Sequence, residues 1–141
     1  MHKPYLIDGL KFDLRIYVLV TGIDPLRIFV YEEGLARFAT EPYKPPRSEN
    51  LENRFMHLTN YAVNKESPNF VFNESVSDMD VGHKRSLTSV YRKIEEDGHD
   101  VEELKRKIND IFIKTMITGY PTLSSTFLSI HPDNFANDMC F

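Results

Sequence analysis
A chain of 141 residues, 41% apolar and 27% charged, can fill one hydrophobic core but not two comfortable domains. Its net charge of −4 argues against general nucleic-acid affinity, and no apolar run reaches the roughly 18–20 residues that span a bilayer. A lone cysteine, Cys140, excludes an internal disulfide framework, and Met1-His2-Lys3-Pro4-Tyr5 lacks a signal-peptide pattern, so a reducing, cytoplasmic setting is expected.

The first part reads as β structure. Lys3 to Gly9 is the approach to a strand, and Lys11-Phe12-Asp13-Leu14-Arg15 opens an apolar run that continues to Val20. Side chains of an extended strand alternate between faces, so Lys11, Asp13, Arg15 and Tyr17 share one face while Phe12, Leu14, Ile16 and Val18 share the other. Same-face neighbours stand roughly 6–7 Å apart. Two cations and a carboxylate in such a row can follow an extended anionic ligand, for which a nucleoside triphosphate is the natural candidate. The plainer alternative is a half-buried strand with solvated charges outside.

Thr21 to Pro25 is expected to turn, Leu26–Tyr31 to form a second strand, Glu32-Glu33-Gly34 a tight turn and Leu35–Thr40 a third strand, together an antiparallel meander. Glu41 to Asn53 is Pro-rich and charged, a surface loop. His57 to Lys65 is mostly polar with low helical propensity. Glu66 to Gly82, rich in Ser, Asn and Asp, reads as a flexible loop or lid.

Two helices follow. Ser86–Ile94 carries Leu87, Val90, Tyr91 and Ile94 at helical spacing, and Gly98-His99-Asp100 breaks it. Asp100 is the expected N-cap of the next helix, with Glu103 completing a capping box. That helix carries a stripe of Val101, Leu104, Ile108, Ile111, Phe112 and Thr115, read as core like the first. Gly119-Tyr120-Pro121 should stop it, leaving Thr122 to Ile130 as a third short helix. Both ends look cut, since the chain starts at a strand approach and Asp138-Met139-Cys140-Phe141 stops as an apolar pattern begins. A fragment is expected.

The five histidines and Cys140 have no metal-ligand spacing. Gly82-His83-Lys84-Arg85-Ser86 resembles a P-loop tail only superficially, because the preceding strand and spaced glycines are missing. What remains is a distributed set: Lys11, Asp13 and Arg15, then Arg37, then His57 to Lys65. If Arg37 faces the same way as Arg15, two guanidiniums converge on a point that only an anion makes stable, and Arg binds phosphate and carboxylate bidentately. Thr59 and Asn60 would add neutral hydrogen bonds. Taken singly, Arg37 is a surface cation, His57 a loop histidine and Asn60 a turn former; the case rests on their co-occurrence.

Lys11-Phe12-Asp13-Leu14-Arg15-Ile16-Tyr17-Val18-Leu19, Gly34-Leu35-Ala36-Arg37-Phe38 and Met56-His57-Leu58-Thr59-Asn60-Tyr61 together resemble the tubulin–tyrosine ligase-like family over nearly the whole chain. The His-Leu-Thr-Asn-Tyr…Asn-Lys form is similar to its glutamylase branch, with one departure at Ala62, where serine is common. The resemblance implies an α+β, ATP-grasp-like fold, of which residues 1–141 would be a central and C-terminal lobe portion truncated at both ends. It implies ATP-dependent ligation of free L-glutamate to side-chain carboxylates of tubulin through an acyl-phosphate, with the fragment inactive alone.

Carried over by position, Arg15 and Arg37 would be catalytic. Lys11, Asp13, His57, Thr59 and Asn60 would bind the nucleotide, Asp13 at the ribose. Arg37, Tyr61 and Lys65 would hold the incoming glutamate. The resemblance also implies Mg²⁺, with ligands after Phe141, and phosphate-binding lysines before Met1, so no metal ligand is assigned here. Tubulin or microtubules would be the partner, without nucleic acid or membrane, at the cytoskeleton and extending to the cilium or basal body. Lys44, Arg47, Lys84, Arg85, Arg92 and Lys93 are candidates for contact with an acidic tubulin tail. The alternatives are a tubulin glycine ligase and a non-catalytic microtubule-binding module.

Overall fold
The chain enters its sheet through a tight corner. Asp8 and Gly9 both take left-handed backbone, with φ of 54° and 72°, and Ile7 and Leu10 exchange backbone hydrogen bonds of 3.3 and 2.9 Å around them. An Asp-Gly pair suits this turn because Gly has no Cβ to clash and Asp tolerates positive φ better than most residues. The residues before Lys11 therefore form a hairpin-like corner instead of a plain strand approach. The structure, a computed structural model, describes residues 3–23, 25–73 and 80–130.

Strands β1 (Phe12–Ile23), β2 (Leu26–Phe38) and β3 (Lys84–Ser86) form one sheet in the order β1-β2-β3. Two residues separate β1 from β2, too few for a parallel crossover, so this pair is antiparallel. The pairing of β2 with β3 is also antiparallel, with Leu35 opposite Ser86, Ala36 opposite Arg85 and Arg37 opposite Lys84. The expected meander needs correction. No turn interrupts Glu32-Glu33-Gly34, where β2 runs straight through, and the third strand comes from residues 84–86. Gly34 serves close approach: a Cβ there would lie 2.4 Å from the Arg15 carbonyl oxygen and 3.3 Å from Leu87 Cδ2. The expected turn at 21–25 also shortens, since β1 continues to Ile23; Asp24 lies outside the described residues.

The chain divides into two compact units, Met1–Arg15 with Glu33–Gly98, and Ile16–Glu32 with His99–Phe141. The first buries Ile7, Ala36, Phe38, Ala39, Met56, Leu87, Val90 and Ile94. Phe38 stacks on Phe12 at 5.1 Å, and the Arg85 guanidinium lies 4.4 Å from the Phe38 ring centre. Helix α3 (Leu87–Glu96) turns Leu87, Val90 and Ile94 inward as their spacing predicts. The Ser86 side chain accepts from Ser89 N–H at its start (3.0 Å), and Gly98 at φ 85° follows its end. The Tyr5 hydroxyl donates to Asp97 at 2.6 Å; burial first, then this anion, pushes the Tyr5 phenol up to about 12.

Residues 41–53 form the expected irregular and mainly exposed loop, and two single helical turns follow, α1 (Arg54–His57) and α2 (Tyr61–Asn64). The expected lid is only partly described, because residues 74–79 lie outside the described residues. Its first part is a hydrogen-bonded path: Ser67 is buried, Phe70 N–H donates to the Ser67 carbonyl, and the Phe70 ring meets His83 and Phe72.

The second unit holds the distal β1–β2 ribbon and helix α4 (Val101–Ile130). As expected, Asp100 accepts from Glu103 N–H (2.9 Å). The capping box is not completed: the Glu103 carboxylate pairs with Arg106 at 2.6 and 2.8 Å, a contact that holds its carboxyl down at about 2. The expected stop at Gly119-Tyr120-Pro121 is absent, for α4 continues through Pro121 to Ile130. Proline's fixed φ is helical, and its missing N–H costs one hydrogen bond without forbidding the next turn. At roughly 1.5 Å per residue, the helix is about 45 Å long. Its stripe is less buried than expected: Val101 is core, Leu104, Ile108 and Phe112 are half-buried, and Ile111 is 60% exposed. Among the described residues, no helix is long and apolar enough to cross a membrane.

Candidate functional site
All nine residues singled out from the sequence fall in the first unit. Lys11, Asp13 and Arg15 alternate along β1 and its lead-in, as strand periodicity requires. Asp13 is met from β2 by Arg37, whose Nε and Nη2 donate to its two carboxylate oxygens at 3.2 and 2.5 Å. This is a fork-to-fork pair, with the side chains 27% and 36% exposed. Arg37 thus pairs with the carboxylate that stands between Lys11 and Arg15 on their shared strand face. The reason is electrostatic: a guanidinium next to another cation needs an anion, and the chain supplies its own. Arg15 is exposed, and among the described residues its guanidinium makes no hydrogen bond or ion pair.

Lys11 reaches the other part of the set. Its ammonium donates to the His57 carbonyl at 2.5 Å, tying β1 to the segment 57–65. The His57 ring stands edge-on to Tyr43, and its Nε2 lies 3.1 Å from the Asn50 carbonyl. A carbonyl only accepts, so Nε2 is the donor in this contact. Leu58 and Asn60 are extended, at φ/ψ −104°/144° and −60°/125°, so the backbone between the two helical turns runs as a short ribbon. Asn60 and Tyr61 are exposed and Thr59 is half-buried; Tyr61 meets Phe70 edge-on at 5.8 Å, and Lys65 is exposed.

Three structural supports escaped the sequence reading. Asn64 is 1% exposed, and its amide bonds to Thr40 on one side and to the Leu58 and Asn60 carbonyls on the other. Its signal was its place within the His57–Lys65 motif, which says nothing about direction. Glu33 accepts from Gly34 N–H (2.9 Å), Thr88 N–H (3.2 Å) and the Thr88 hydroxyl (2.7 Å), binding β2 to the first turn of α3. Burial pushes its carboxyl up, but the hydrogen bonds from Thr88, Gly34 and Leu87 outweigh that and hold it below the usual carboxylate value. His83 accepts from Val71 N–H at Nδ1 (3.0 Å) while its ring stacks on Phe70.

Burial, and secondarily the Arg85 charge, lowers the His83 imidazole below its ordinary 6.5. Folding therefore favours the neutral ring. Its contribution is complete above about pH 6.5 and declines as pH falls through the lower folded-state value. Urea unfolding at about pH 7.5 and 5.5 should show a loss of stability on acidification that shrinks in His83→Gln; equal losses in both proteins would remove His83 as its source.

Most candidate cations for an acidic tail already have partners. Arg85 pairs with Asp8 (2.7 Å) while lying over Phe38, Arg92 with Asp80 (3.2 Å), Lys93 with Asp97 (2.8 Å) and Arg47 with Glu49 (3.7 Å). Lys44 and Lys84 are exposed and, among the described residues, unpaired. A metal is poorly served: among the described residues no three His, Cys, Asp or Glu side chains gather to hold one, and both oxygens of Asp13 face Arg37. The residues present do not fit Mg²⁺, which needs octahedral oxygen ligation. They do fit an extended anion with a neutral polar end: an exposed guanidinium, a neighbouring ammonium, and a ribbon of hydroxyl and amide groups.

Comparison with known proteins adds to this. The profile described as "Tubulin-tyrosine ligase family" matches residues 1–137. A Tetrahymena thermophila protein named "Probable beta-tubulin polyglutamylase" is 58% identical over 141 residues, covering 100% of this chain and 12% of its own length. Tubulin polyglutamylase TTLL13 of Mus musculus is 50% identical over 138 residues (98% of this chain, 16% of its own). Tubulin polyglutamylase TTLL6 of the same organism is 48% identical over 139 residues (99% and 16%). The chain spans less than a fifth of the length of these curated relatives.

Proposed function
The chain belongs to the tubulin-tyrosine ligase family, and from that premise we propose that it is part of the ATP-grasp catalytic domain of an ATP-dependent ligase that joins glutamate to side-chain carboxylates of tubulin. The names of its relatives support the amino acid and the target. The observation that carries the reading is the linked row on β1, with Asp13 forked to Arg37 and Lys11 bonded to His57 of the 57–65 segment. ATP and Mg²⁺ belong to the proposal, the metal with ligands from outside this chain. ATP would supply the phosphoryl group that activates the tubulin carboxylate for attack by the glutamate amine.

The chain's own residues divide the work. Arg15, exposed and unpaired, offsets charge developing on the transferring group, where a positioned cation is most effective. Lys11 adds a second cation. Asp13 keeps lone pairs beyond those used by Arg37 and accepts from a sugar hydroxyl, while Arg37 holds it in place. His57, Thr59 and Asn60 flank the nucleotide. Tyr61 and Lys65, with Arg37, receive the glutamate carboxylates, and the site of action is the cytoskeleton, cilia included.

The test is incorporation of radiolabelled glutamate or glycine into tubulin by the full-length polypeptide, wild type against Arg15→Ala. Glutamate incorporation should fall about 10²–10³-fold in the variant, the cost of losing one transition-state donor. Glycine in place of glutamate would overturn the amino-acid assignment. No incorporation of either, with microtubule binding intact, would make the protein a binding module.

A further inference from the structure
Asn64 is 1% exposed, so no ligand reaches it. Its side-chain oxygen accepts from the Thr40 backbone N–H and hydroxyl, both at 3.0 Å, and its side-chain nitrogen donates to the Leu58 carbonyl at 2.8 Å and the Asn60 carbonyl at 3.2 Å. An amide offers two acceptor lone pairs and two N–H donors, and all four are used. The partners also dictate which way it points, since N–H and O–H groups lie on one side and only carbonyls on the other. The two carbonyls bracket Thr59, and Thr40 lies three residues beyond Arg37 on the same stretch of chain.

We infer that Asn64 is a positioning residue: it clamps the backbone on both sides of Thr59 and sets the distance of the Thr59–Asn60 ribbon from the strand that carries Arg37. This rests on the proposed ligase reading for its consequence, although the clamp itself is independent of it. The ribbon is tied by helical bonds only at its ends, where Leu58 N–H donates to the Arg54 carbonyl and the Asn60 carbonyl accepts from Val63 and Asn64 N–H. Among the described residues, no sheet ladder joins it to the Thr40 stretch. A buried amide with every hydrogen-bonding group occupied is the device that holds it still, and a 1 Å displacement of a binding group can cost about 10²-fold in rate.

Two readouts on full-length Asn64→Ala, at a temperature where circular dichroism shows it folded, test the inference. In the first, hydrogen exchange at the amides of residues 58–65 should quicken about tenfold or more, equivalent to losing one net hydrogen bond, while the amides of Val90 and Ile94 in α3 stay as in wild type. Unchanged exchange at 58–65, or equal acceleration in α3, would overturn the clamp. In the second, the KM for glutamate and ATP should rise about tenfold, and Thr40→Val/Asn64→Ala should be no worse than Asn64→Ala alone. A residue that merely stabilised the fold would lower Vmax with the unfolded fraction and leave KM alone; that result would overturn the positioning role. A wild type that incorporates no amino acid would refute the ligase reading, and exchange would still decide the clamp.

Discussion

Replacing Gly34 with alanine should destabilise the protein by about 3 kcal/mol, lowering Tm by roughly 10 °C. The added Cβ would lie 2.4 Å from the Arg15 carbonyl oxygen, a backbone atom that cannot swing aside as a side-chain tip can. Relief requires β1 and β2 to part beside Arg15, or Leu87, 2% exposed and 3.3 Å from the same point, to leave its place in the core. Alanine is otherwise a mild substitution in a strand, so a large loss would isolate this clash. A Tm within about 2 °C of wild type, roughly the effect of 0.5 kcal/mol, would mean the strands do not approach here and would reinstate a turn at 32–34. The same variant should also lower activity, because parting the strands moves Arg15.

The second large effect concerns the fork between Asp13 and Arg37. In the full-length polypeptide, Asp13→Asn and Arg37→Ala should each lower kcat/KM for glutamate incorporation by about 10²–10³-fold. Asparagine keeps the shape of Asp13 but replaces one accepting oxygen with an N–H₂ that faces a guanidinium. Removing Arg37 leaves the carboxylate without the fork that aims it. Because Arg37 aims Asp13 as well as meeting the glutamate, the double variant should lose clearly less than the product of the two single losses. Arg37→Lys should not restore activity, since an ammonium cannot span two oxygens in a plane. Losses that multiply in full would mean that Arg37 does nothing for Asp13 and would dissolve the fork as a unit.

Strand periodicity made the row of Lys11, Asp13 and Arg15 legible, because alternation is a local property of extended backbone. The same holds for the inward face of α3 and for Asp100 at the start of α4, where spacing and capping chemistry operate over a few residues. Gly34 shows where local reading stops. A glycine after two glutamates is good turn chemistry, and only its nearness to Arg15, nineteen residues earlier in the chain, reveals it as a point of close approach. Pro121 shows the converse: it reads locally as a breaker, and α4 runs through it, the turns on either side outweighing the lost hydrogen bond and the clash of its ring with the carbonyl four residues back.

The sequence by itself determined which residues carry charge and hydroxyl groups, which strand face they share, and, through the order of their motifs, the family. Tertiary structure alone decided who meets whom: Arg37 joins Asp13, Lys11 holds the His57 carbonyl, and buried Asn64 links Thr40 to the ribbon around Thr59. Those contacts join residues 24, 46, 24 and 6 positions apart. Periodicity reports only the face a side chain occupies; hydrogen-bond satisfaction, which selects its partner, is settled when separate segments are packed together.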